Sequence, residues 1–405
     1  MKIESLRVKN YKSLCDLHLK DLPDMCVFVG KNGVGKSTLF DVFSFLSDSL
    51  RDNVSTALSK RGGFKEVISR GQEGEIEFEI KFRVGSDQPL VTYQLHIAKD
   101  GNRAKVAREI LKFRRGSHGR AWHFLDFTNG VGKAINNEDQ YFAKEQSKEE
   151  RTDYSLDSPD ILALKGLGQF EKFKSVNSFR KMIEGWYISD FHIDKARKIE
   201  EITVAEHLSQ SGDNLANYAK FLAENSPEVF AQCLKKMSER VEGIESAETV
   251  DLADGRILLR FKDRNFIEPF IAKFVSDGTI KIFAYLLLLA DPKPHPLLAV
   301  EEPENQLYHE FLSILAEEFR DYARRGEQIL ITTHSPEFLN ALEAKELFAL
   351  SKTNGFTTAI RVDDIELIKN LVEDGDQLGY LWREGIINWE SQDGKGKNFD
   401  QLSTP

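Results

Sequence analysis

Cysteine is scarce in this sequence, with three in 405 residues. Cys15, Cys26 and Cys233 lie far apart along the chain and form no pair with metal-ligand spacing. Disulfide-stapled domains and cysteine-rich zinc modules need several cysteines at close, regular spacing. The scarcity therefore excludes both classes, and it favours a reducing, cytoplasmic setting.

Long apolar runs are missing as well. The longest run, IFAYLLLLA at 282–290, is much shorter than the roughly 20 apolar residues that a membrane-spanning helix needs. It predicts a buried helix, so we expect no membrane partner. The first residues also lack the basic-then-apolar order of a secretory leader, which agrees with the cytoplasmic expectation.

The chain also has no excess of basic residues. The chain has 55 Lys and Arg against 65 Asp and Glu, a formal net charge of −10. This balance argues against a protein that coats nucleic acid, but net charge does not describe distribution, so contact between DNA and a local basic groove stays open. With 41% hydrophobic residues the chain can bury a large core, which predicts a main domain with an inserted or appended lobe.

A phosphate-binding motif is the strongest signal that is present. Residues 30–38, GKNGVGKST, fit the pattern G-x-x-x-x-G-K-[ST]. The apolar run 25–29 before it is typical of a buried parallel strand, and 39–46 has helical apolar spacing. A glycine-rich turn between strand and helix directs backbone N–H groups and the positive end of the helix at one anion. The stretch predicts a nucleoside triphosphate site, with ATP and Mg²⁺ as its ligands.

Three side chains of this motif have separate expected roles. Lys36 can reach the β- and γ-phosphates, Ser37 can hold Mg²⁺, and Thr38 lies near the α-phosphate. The other residues predicted to bind the nucleotide are Lys31, Asn32, Gly33, Val34 and Gly35.

An apolar strand that ends in two acids comes in the last third of the chain. In LLAVEE at 297–302, Glu301 would hold Mg²⁺, and Glu302 would orient or deprotonate the attacking water. Two acids at a strand end can also be plain solvated surface. The following turn, Pro303–Leu307, could touch a second copy of the chain.

Two more motifs flank that strand in sequence. In TTHSP at 332–336, His334 could bond the γ-phosphate, although a lone histidine after a strand is more often structural. In FVSDGT at 274–279, Ser276, Gly278 and the free N–H groups of a helix start could bind an anion. The simpler interpretation of that stretch is a helix N-cap.

Elsewhere the pattern predicts the supporting elements. Strict alternation at 76–82 indicates a half-exposed antiparallel strand, and 90–97, 106–113 and 121–127 continue the meander. Residues 128–168 have weak periodicity and are expected to be a long loop or arm. A helix from about 214 to 241 should break near Ser226-Pro227.

Together, in this order, the motifs resemble those of the ATP-binding-cassette (ABC) branch of P-loop ATPases. The resemblance is closest to the RecF, SMC and overcoming-lysogenization-defect (OLD-like) AAA family ATPases, and it covers roughly residues 1–85 and 245–350. The matching stretches are the opening at 8–14, the P-loop at 30–38, the signature at 276–279, the acid turn at 301–305 and the switch at 333–336. This resemblance implies an α/β fold of the ABC-ATPase type, with a mixed sheet, an antiparallel β lobe, a parallel core and a helical inserted lobe.

The resemblance also implies roles for single residues. Lys12 would face the phosphates from the N-terminal turn, Glu302 would be the catalytic base and His334 the switch. Ser276 with Gly278 would complete the ATP site of a second copy, which implies a homodimer or a larger homo-oligomer.

Two departures from the family pattern stand out. The signature is SDGT and not the LSGGQ of transporter ATPases, which disfavours a transporter. No glutamine can be assigned securely to the loop that usually completes the metal site, and Gln72 and Gln169 are the candidates.

The layout predicts the division of the chain. Residues 39–275 hold no sustained heptad, so a compact lobe is expected where SMC-like relatives carry a long coiled coil. Residues 351–405 are too few for the TOPRIM nuclease domain of OLD proteins, so a nuclease should be a separate protein. The expected parts are 1–128, the N-terminal part of the ATPase head with its antiparallel lobe; 129–245, an inserted loop and helical lobe; 246–350, the C-terminal part of the head; and 351–405, a C-terminal extension.

Two functions from different classes follow. The first is an ATP-hydrolysing sensor and scaffold that regulates a separate effector, a nuclease or toxin, in bacterial anti-phage defence. The second is a RecF-like DNA-binding ATPase in DNA repair. The acidic balance and the mixed aromatic and charged tail at 378–384 favour the first.

Overall fold

A computed structural model gives the structure of residues 2–83, 90–101, 103–114, 121–136 and 150–387. Within these ranges the strands are β1 (Lys2–Tyr11), β2 (Leu14–Lys20), β3 (Met25–Val29), β4 (Ile76–Arg83), β5 (Val91–Asp100), β6 (Arg103–Arg114), β7 (Ala121–Thr128), β8 (Val131–Ile135), β9 (Arg151–Ser155), β10 (Tyr187–Ser189), β11 (Glu200–Glu201), β12 (Ile244–Asp251), β13 (Arg256–Asp263), β14 (Phe270–Ile271), β15 (Leu297–Glu301), β16 (Gln328–Thr333), β17 (Leu347–Thr353) and β18 (Phe356–Arg361).

The helices lie between these strands and after them. They are α1 (Lys36–Arg51), α2 (Val54–Ser59), α3 (Phe64–Val67), α4 (Ala163–Leu167), α5 (Lys174–Glu184), α6 (Ile193–Ala196), α7 (Leu215–Asn225), α8 (Pro227–Arg240), α9 (Asp277–Leu289), α10 (His309–Arg324), α11 (Pro336–Leu339), α12 (Glu366–Glu373) and α13 (Leu378–Arg383), with short 3-10 turns at Ala272–Phe274, Ala344–Glu346 and Val362–Asp364. No helix in the described ranges is both long and apolar enough to cross a bilayer.

An eight-stranded antiparallel sheet forms the first lobe, in the order β2-β1-β4-β5-β6-β7-β8-β9. In β4 the buried side chains are every second residue, as the side-chain period of a strand requires. That face packs on α1, α4 and α5, and the other face is half-exposed. The predicted meander is confirmed.

The expectation of a long loop at 128–168 is wrong for the described part of that segment. Residues 131–135 and 151–155 add β8 and β9 to the edge of the antiparallel sheet, and α4 follows. Strand β9 lies at the edge and is largely exposed, and β8 buries two adjacent residues, Ala134 and Ile135. Neither strand has the apolar alternation that would reveal it, and backbone hydrogen bonds hold both in register. Residues 137–149 lie outside the described ranges.

A six-stranded sheet forms the centre of the molecule, in the order β10-β15-β16-β3-β17-β18. Its strands are parallel except β18, which runs antiparallel to β17. Alternate residues of β3 enter opposite cores: Met25, Val27 and Val29 pack on one side, and Cys26 and Phe28 on the other. Both faces are therefore covered, which explains why β3 is apolar throughout.

The carboxyl ends of three neighbouring strands meet at one edge of this sheet. The P-loop follows β3, the acid turn follows β15, and the switch follows β16, which lies between them. Parallel strands make this convergence unavoidable. The sheet thus collects motifs that are up to about 300 residues apart in sequence.

The second face of the central sheet carries helices and a small third sheet, β11-β13-β12 with β14 beside β13. Helices α7 and α8 meet at Ser226 and Pro227, as predicted. Helix α9 is buried along nearly its whole length, which explains its apolar sequence. The predicted α/β class, with an antiparallel lobe and a mixed core sheet, is confirmed.

The chain after residue 350 contributes to the central sheet. Strand β17 continues to Thr353 and pairs with β18, and α12 and α13 follow. The aromatic and charged tail at 378–384 is mainly α13, in which Leu378 and Leu381 are buried.

Candidate functional site

The P-loop bends sharply between β3 and α1. Gly33 and Gly35 have backbone φ angles of 79° and 109°, in the left-handed region that glycine tolerates best. A Cβ at Gly35 would overlap Thr357 Oγ1 and would lie 2.7 Å from Ser13 Oγ. Glycine at 35 is therefore required by space as well as by backbone angle.

Lys36 opens α1 and folds back along the loop. Its side chain is nearly buried, and Nζ donates to Gly30 O at 2.8 Å. Burial lowers the pKa of Lys36, while the carboxylates of Glu302 and Glu301 oppose that shift. An ammonium at this point can reach the β- and γ-phosphates of a triphosphate cradled by the loop.

Ser37 and Glu301 come together from positions 264 residues apart, with Ser37 Oγ donating to Glu301 Oε2 at 2.7 Å. Burial raises the pKa of Glu301, and the neighbouring Glu302 raises it further, whereas the Ser37 hydrogen bond lowers it. Hydroxyl and carboxylate oxygens are the ligands that Mg²⁺ prefers. This pair could hold Mg²⁺, which would relieve the repulsion between the two acids.

Glu302 and His334 lie at the ends of adjacent strands. His334 Nε2 is 3.0 Å from Glu302 Oε1, a close contact without hydrogen-bond alignment. Glu302 has a left-handed backbone, with φ of 43°, and its N–H donates to Thr332 O at 2.9 Å. A glutamate in this conformation stores about 1 kcal/mol or more, which neighbouring structure must offset. The arrangement places a carboxylate beside a histidine at the sheet edge that carries the P-loop.

The turn after the acid pair bonds to the acid pair and to the switch, contacts that the sequence did not predict; its expected contact with a second copy stays a prediction. Glu304 Oε1 accepts from Thr333 Oγ1 at 2.8 Å and from the His334 N–H at 2.6 Å. Asn305 Nδ2 donates to Glu302 Oε2 at 3.1 Å. The available signal was the polar sequence PEN directly after two acids.

Ser276 caps the start of α9. Its Oγ accepts from the Thr279 N–H at 3.2 Å, as in an ordinary N-cap. A Cβ on Gly278 would lie 3.1 Å from Gln306 O, so this helix start packs against the acid turn of its own chain. In the described ranges the side-chain hydrogen bonds of Ser276 go to Thr279 and not to the P-loop, and its anion-binding role stays a prediction.

Lys12 lies beside α1. Its Nζ is 2.5 Å from Asp41 Oδ2, an oxygen that also accepts from Tyr11 at 2.7 Å, and Arg61 Nε donates to the other carboxylate oxygen at 2.7 Å. The structure thus places Lys12 in an ion-pair network one turn beyond the P-loop. Its predicted contact with phosphate is not tested by this arrangement.

The remaining residues predicted to bind the nucleotide or the metal differ in their exposure to solvent. Lys31, Asn32 and Gly33 are exposed at the turn of the loop, Val34 is buried, and Thr38 is half-buried. The two glutamine candidates, Gln72 and Gln169, are both exposed, and the described contacts single out neither for the metal site.

Thr357 is a site residue that no sequence pattern indicated. Its Oγ1 donates to Val34 O at 2.6 Å and lies 2.9 Å from Ser13 Oγ. The Thr357 N–H donates to Ser13 O at 2.9 Å. Strand β18 therefore supports the P-loop from a position 323 residues further along the chain.

Comparison with known proteins places this geometry in a family. Residues 25–340 match the family model described as "AAA domain, putative AbiEii toxin, Type IV TA system". The chain belongs to this AAA domain family. The match spans well over half of the chain and includes the P-loop, the signature, the acid turn and the switch. No curated protein matches the sequence significantly.

Two solved structures share the fold of this AAA domain protein. One is the Smc head bound to the C-winged helix domain of ScpA, with 14% identity, a TM-score of 0.52, and coverage of 89% of this chain and 98% of that chain. The other is the Smc head domain with an extended coiled coil bound to the C-terminal domain of ScpA derived from Pyrococcus furiosus, with 14% identity, a TM-score of 0.52, and coverage of 92% and 99%. The fold is that of an SMC-head-like ABC ATPase, which confirms the predicted class; the narrower likeness to OLD-like anti-phage ATPases stays a prediction.

Proposed function

We propose that this chain binds ATP with Mg²⁺ and hydrolyses it to ADP and phosphate, in a site that a second copy completes. One observation carries the proposal: the Ser37–Glu301 hydrogen bond of 2.7 Å and the Glu302–His334 contact of 3.0 Å lie at the same sheet edge as Lys36. Phosphoryl transfer to water needs a phosphate cradle, a metal, a base and a group that reads the γ-phosphate. Side chains suited to each of these roles converge here.

The roles follow from chemistry. Lys36 and the N–H groups of the P-loop neutralise the phosphates, and Ser37 with Glu301 holds Mg²⁺. Glu302 orients and deprotonates the attacking water. His334 donates to the γ-phosphate and loses that partner after hydrolysis, so its contact with Glu302 differs between the two states.

Dimerisation is proposed from the position of the signature. The free N–H groups at the start of α9 form a second anion-binding end, and the packing of Gly278 on Gln306 ties it to the acid turn. Two copies related by a two-fold axis would each present Ser276 to the partner's ATP and bury two nucleotides in one isologous interface. ATP then favours the closed dimer, and hydrolysis removes that preference.

The biological role is proposed as regulation of a separate effector, a nuclease or toxin, in bacterial anti-phage defence. The family description supports this direction because it names a toxin and a type IV toxin–antitoxin system. The net charge of −10 also favours a protein partner over nucleic acid. DNA binding whose affinity falls steeply with salt would favour the RecF-like repair alternative.

Lys36→Ala tests the ATPase assignment. Removing the ammonium should lower Mg²⁺-dependent ATP hydrolysis by roughly 100-fold or more, a loss typical of deleting one electrostatic contact to the reacting group. Lys235→Ala is the matched control, since Lys235 is an exposed residue of α8 paired with Glu239. Phosphate release from both purified variants is the measurement, and a parent-like rate for Lys36→Ala would refute the P-loop assignment.

A further inference from the structure

A second group of chemistry-bearing side chains lies at the other end of β15. His207 precedes α7, Asp291 follows α9, and His295 comes shortly before β15. Each can supply one ligand atom, and these atoms lie within 4.8 Å of one another. The length of β15, about 16 Å at the usual rise per residue, separates the group from Glu301 and the nucleotide site.

Asp291 forms the buried base of this group. It is 1% exposed. One carboxylate oxygen, Oδ1, accepts from the Lys293 N–H at 2.8 Å, and the other, Oδ2, is 2.7 Å from His207 Nδ1. A buried carboxylate held by a backbone N–H is fixed in orientation, and its second oxygen contacts His207.

One lone pair of the His295 ring has no partner in the described part of the chain. Its Nδ1 lies 3.1 Å from Gly185 O, and because a carbonyl only accepts, Nδ1 carries the proton. The lone pair is therefore on Nε2, which is buried and has no hydrogen-bond partner among the residues that the structure describes. Burial lowers the pKa of His295, and the nearby His207 lowers it further, so the neutral ring is favoured.

This pattern is that of a metal ligand. A histidine that binds a metal through one nitrogen usually donates its other N–H to a carbonyl or carboxylate, which fixes the ring. A buried acceptor with no partner is unfavourable because it has lost its hydrogen bond to water, and a bound cation would remove that cost. An ordinary His–Asp ion pair explains the His207–Asp291 contact but leaves Nε2 of His295 unexplained.

We propose that His207, Asp291 and His295 bind a divalent transition-metal ion, with zinc as the best fit. Two imidazole nitrogens and one carboxylate oxygen suit Zn²⁺, whereas Mg²⁺ and Ca²⁺ prefer oxygen ligands. Zinc holds such ligands at about 2.0–2.2 Å, which sets the ligand atoms roughly 3.4 Å from one another. The His207–Asp291 pair at 2.7 Å must therefore separate slightly, and any pair near the 4.8 Å limit must approach. His207 can make this adjustment because it lies in a loop and its side chain is 38% exposed.

The ion would pin three parts of the fold together. It would tie the loop before α7 and the end of α9, the signature helix, to the segment that leads into β15. With three protein ligands, water would occupy the fourth position of a tetrahedral site. The expected consequence is stabilisation by metal in the absence of nucleotide.

Zinc binding by the full chain tests the proposal. The untagged, metal-free protein is titrated with Zn²⁺ alone, without ATP or Mg²⁺, by calorimetry, and bound metal is counted by mass spectrometry. We expect one zinc per chain and a higher unfolding temperature. His295→Gln and Asp291→Asn should each weaken binding at least tenfold and lose the metal-dependent stabilisation.

Two further variants separate metal binding from loss of structure. His207→Gln removes a ligand from a half-exposed loop and keeps the buried part of the group intact. His96→Gln is the control: His96 Nδ1 lies 3.0 Å from Glu75 in the antiparallel lobe, a His–carboxylate pair without a second histidine. Equal zinc affinity in the parent chain and in His207→Gln, or no stoichiometric zinc in the parent, would overturn the proposal.

Discussion

Lys281 offers a quantitative test of how α9 is joined to the acid turn. The side chain is 6% exposed, and its Nζ donates to Asn305 O at 2.7 Å. Burial lowers the pKa of Lys281 to about 8, although the carboxylates of Glu304 and Glu302 oppose the shift. Replacement by methionine keeps the length of the side chain and removes the titrating group.

The pKa of Lys281 gives both the sign and the size of its effect on the free energy of unfolding. Between pH 8 and 10.5 the lysine is protonated in the unfolded chain and neutral in the folded one, so stability rises with pH. Below pH 8 both states are protonated, and the cost of burying the charge is fully present. The shift from 10.5 to about 8 corresponds to roughly 3 kcal/mol across this window.

The assay is urea unfolding of the parent and of Lys281→Met at several pH values. The difference in unfolding free energy should move in favour of the parent by about 3 kcal/mol between pH 8 and 10.5. Lys273→Met, at an exposed position just before α9, controls for the loss of a positive charge. If the difference in unfolding free energy between the parent and Lys281→Met does not change with pH, Lys281 is not buried as described.

Two further predictions concern the nucleotide site. Glu302→Gln keeps the shape of the side chain but cannot accept a proton, so ATP should bind and persist while turnover falls roughly 100-fold or more. Glu301→Gln should instead weaken the Mg²⁺ dependence of hydrolysis. Equal nucleotide retention in the two variants would contradict these separate roles. Thr357→Val removes the hydrogen bond to Val34 O and should weaken ATP affinity about fivefold by loosening the P-loop, as measured by nucleotide titration. Thr358→Val, which loses its hydrogen bond to Ser351 at 2.9 Å, is the control. An equal loss of ATP affinity in the control would exclude a specific role for Thr357.

Local patterns predicted the parts of the fold that depend on local physics. The motif at 30–38 specified a strand, a turn and a helix because glycine angles and phosphate geometry permit few alternatives. The alternation of apolar and polar residues at 76–82 revealed β4 because one face of the strand is buried and the other is half-exposed to solvent. The convergence of the P-loop, Glu301 and His334 followed from their positions at the ends of apolar strands.

Sequence patterns did not predict contacts between residues that lie far apart along the chain. Strands β8 and β9 were missed because β9 is an exposed edge strand and the two buried residues of β8 are adjacent, so neither strand carries apolar alternation. Thr357 was missed because its contact with Val34 joins residues 323 positions apart. His207 and Asp291, 84 positions apart, likewise have no motif spacing that would relate them.

The central claim, that each ATP site is shared between two copies, has a direct test in mixed dimers. Ser276→Arg should leave ATP binding per subunit nearly intact but eliminate hydrolysis, because it obstructs the partner's site. Lys36→Ala should be inactive for the opposite reason, since its own phosphate cradle fails. In a co-expressed, tandem-tagged dimer of the two variants, one composite site keeps both a good P-loop and a good signature. Measured ATP hydrolysis by that purified mixed dimer should recover toward half the parent rate, whereas well-formed mixed dimers that stay as inactive as either variant alone would contradict site sharing.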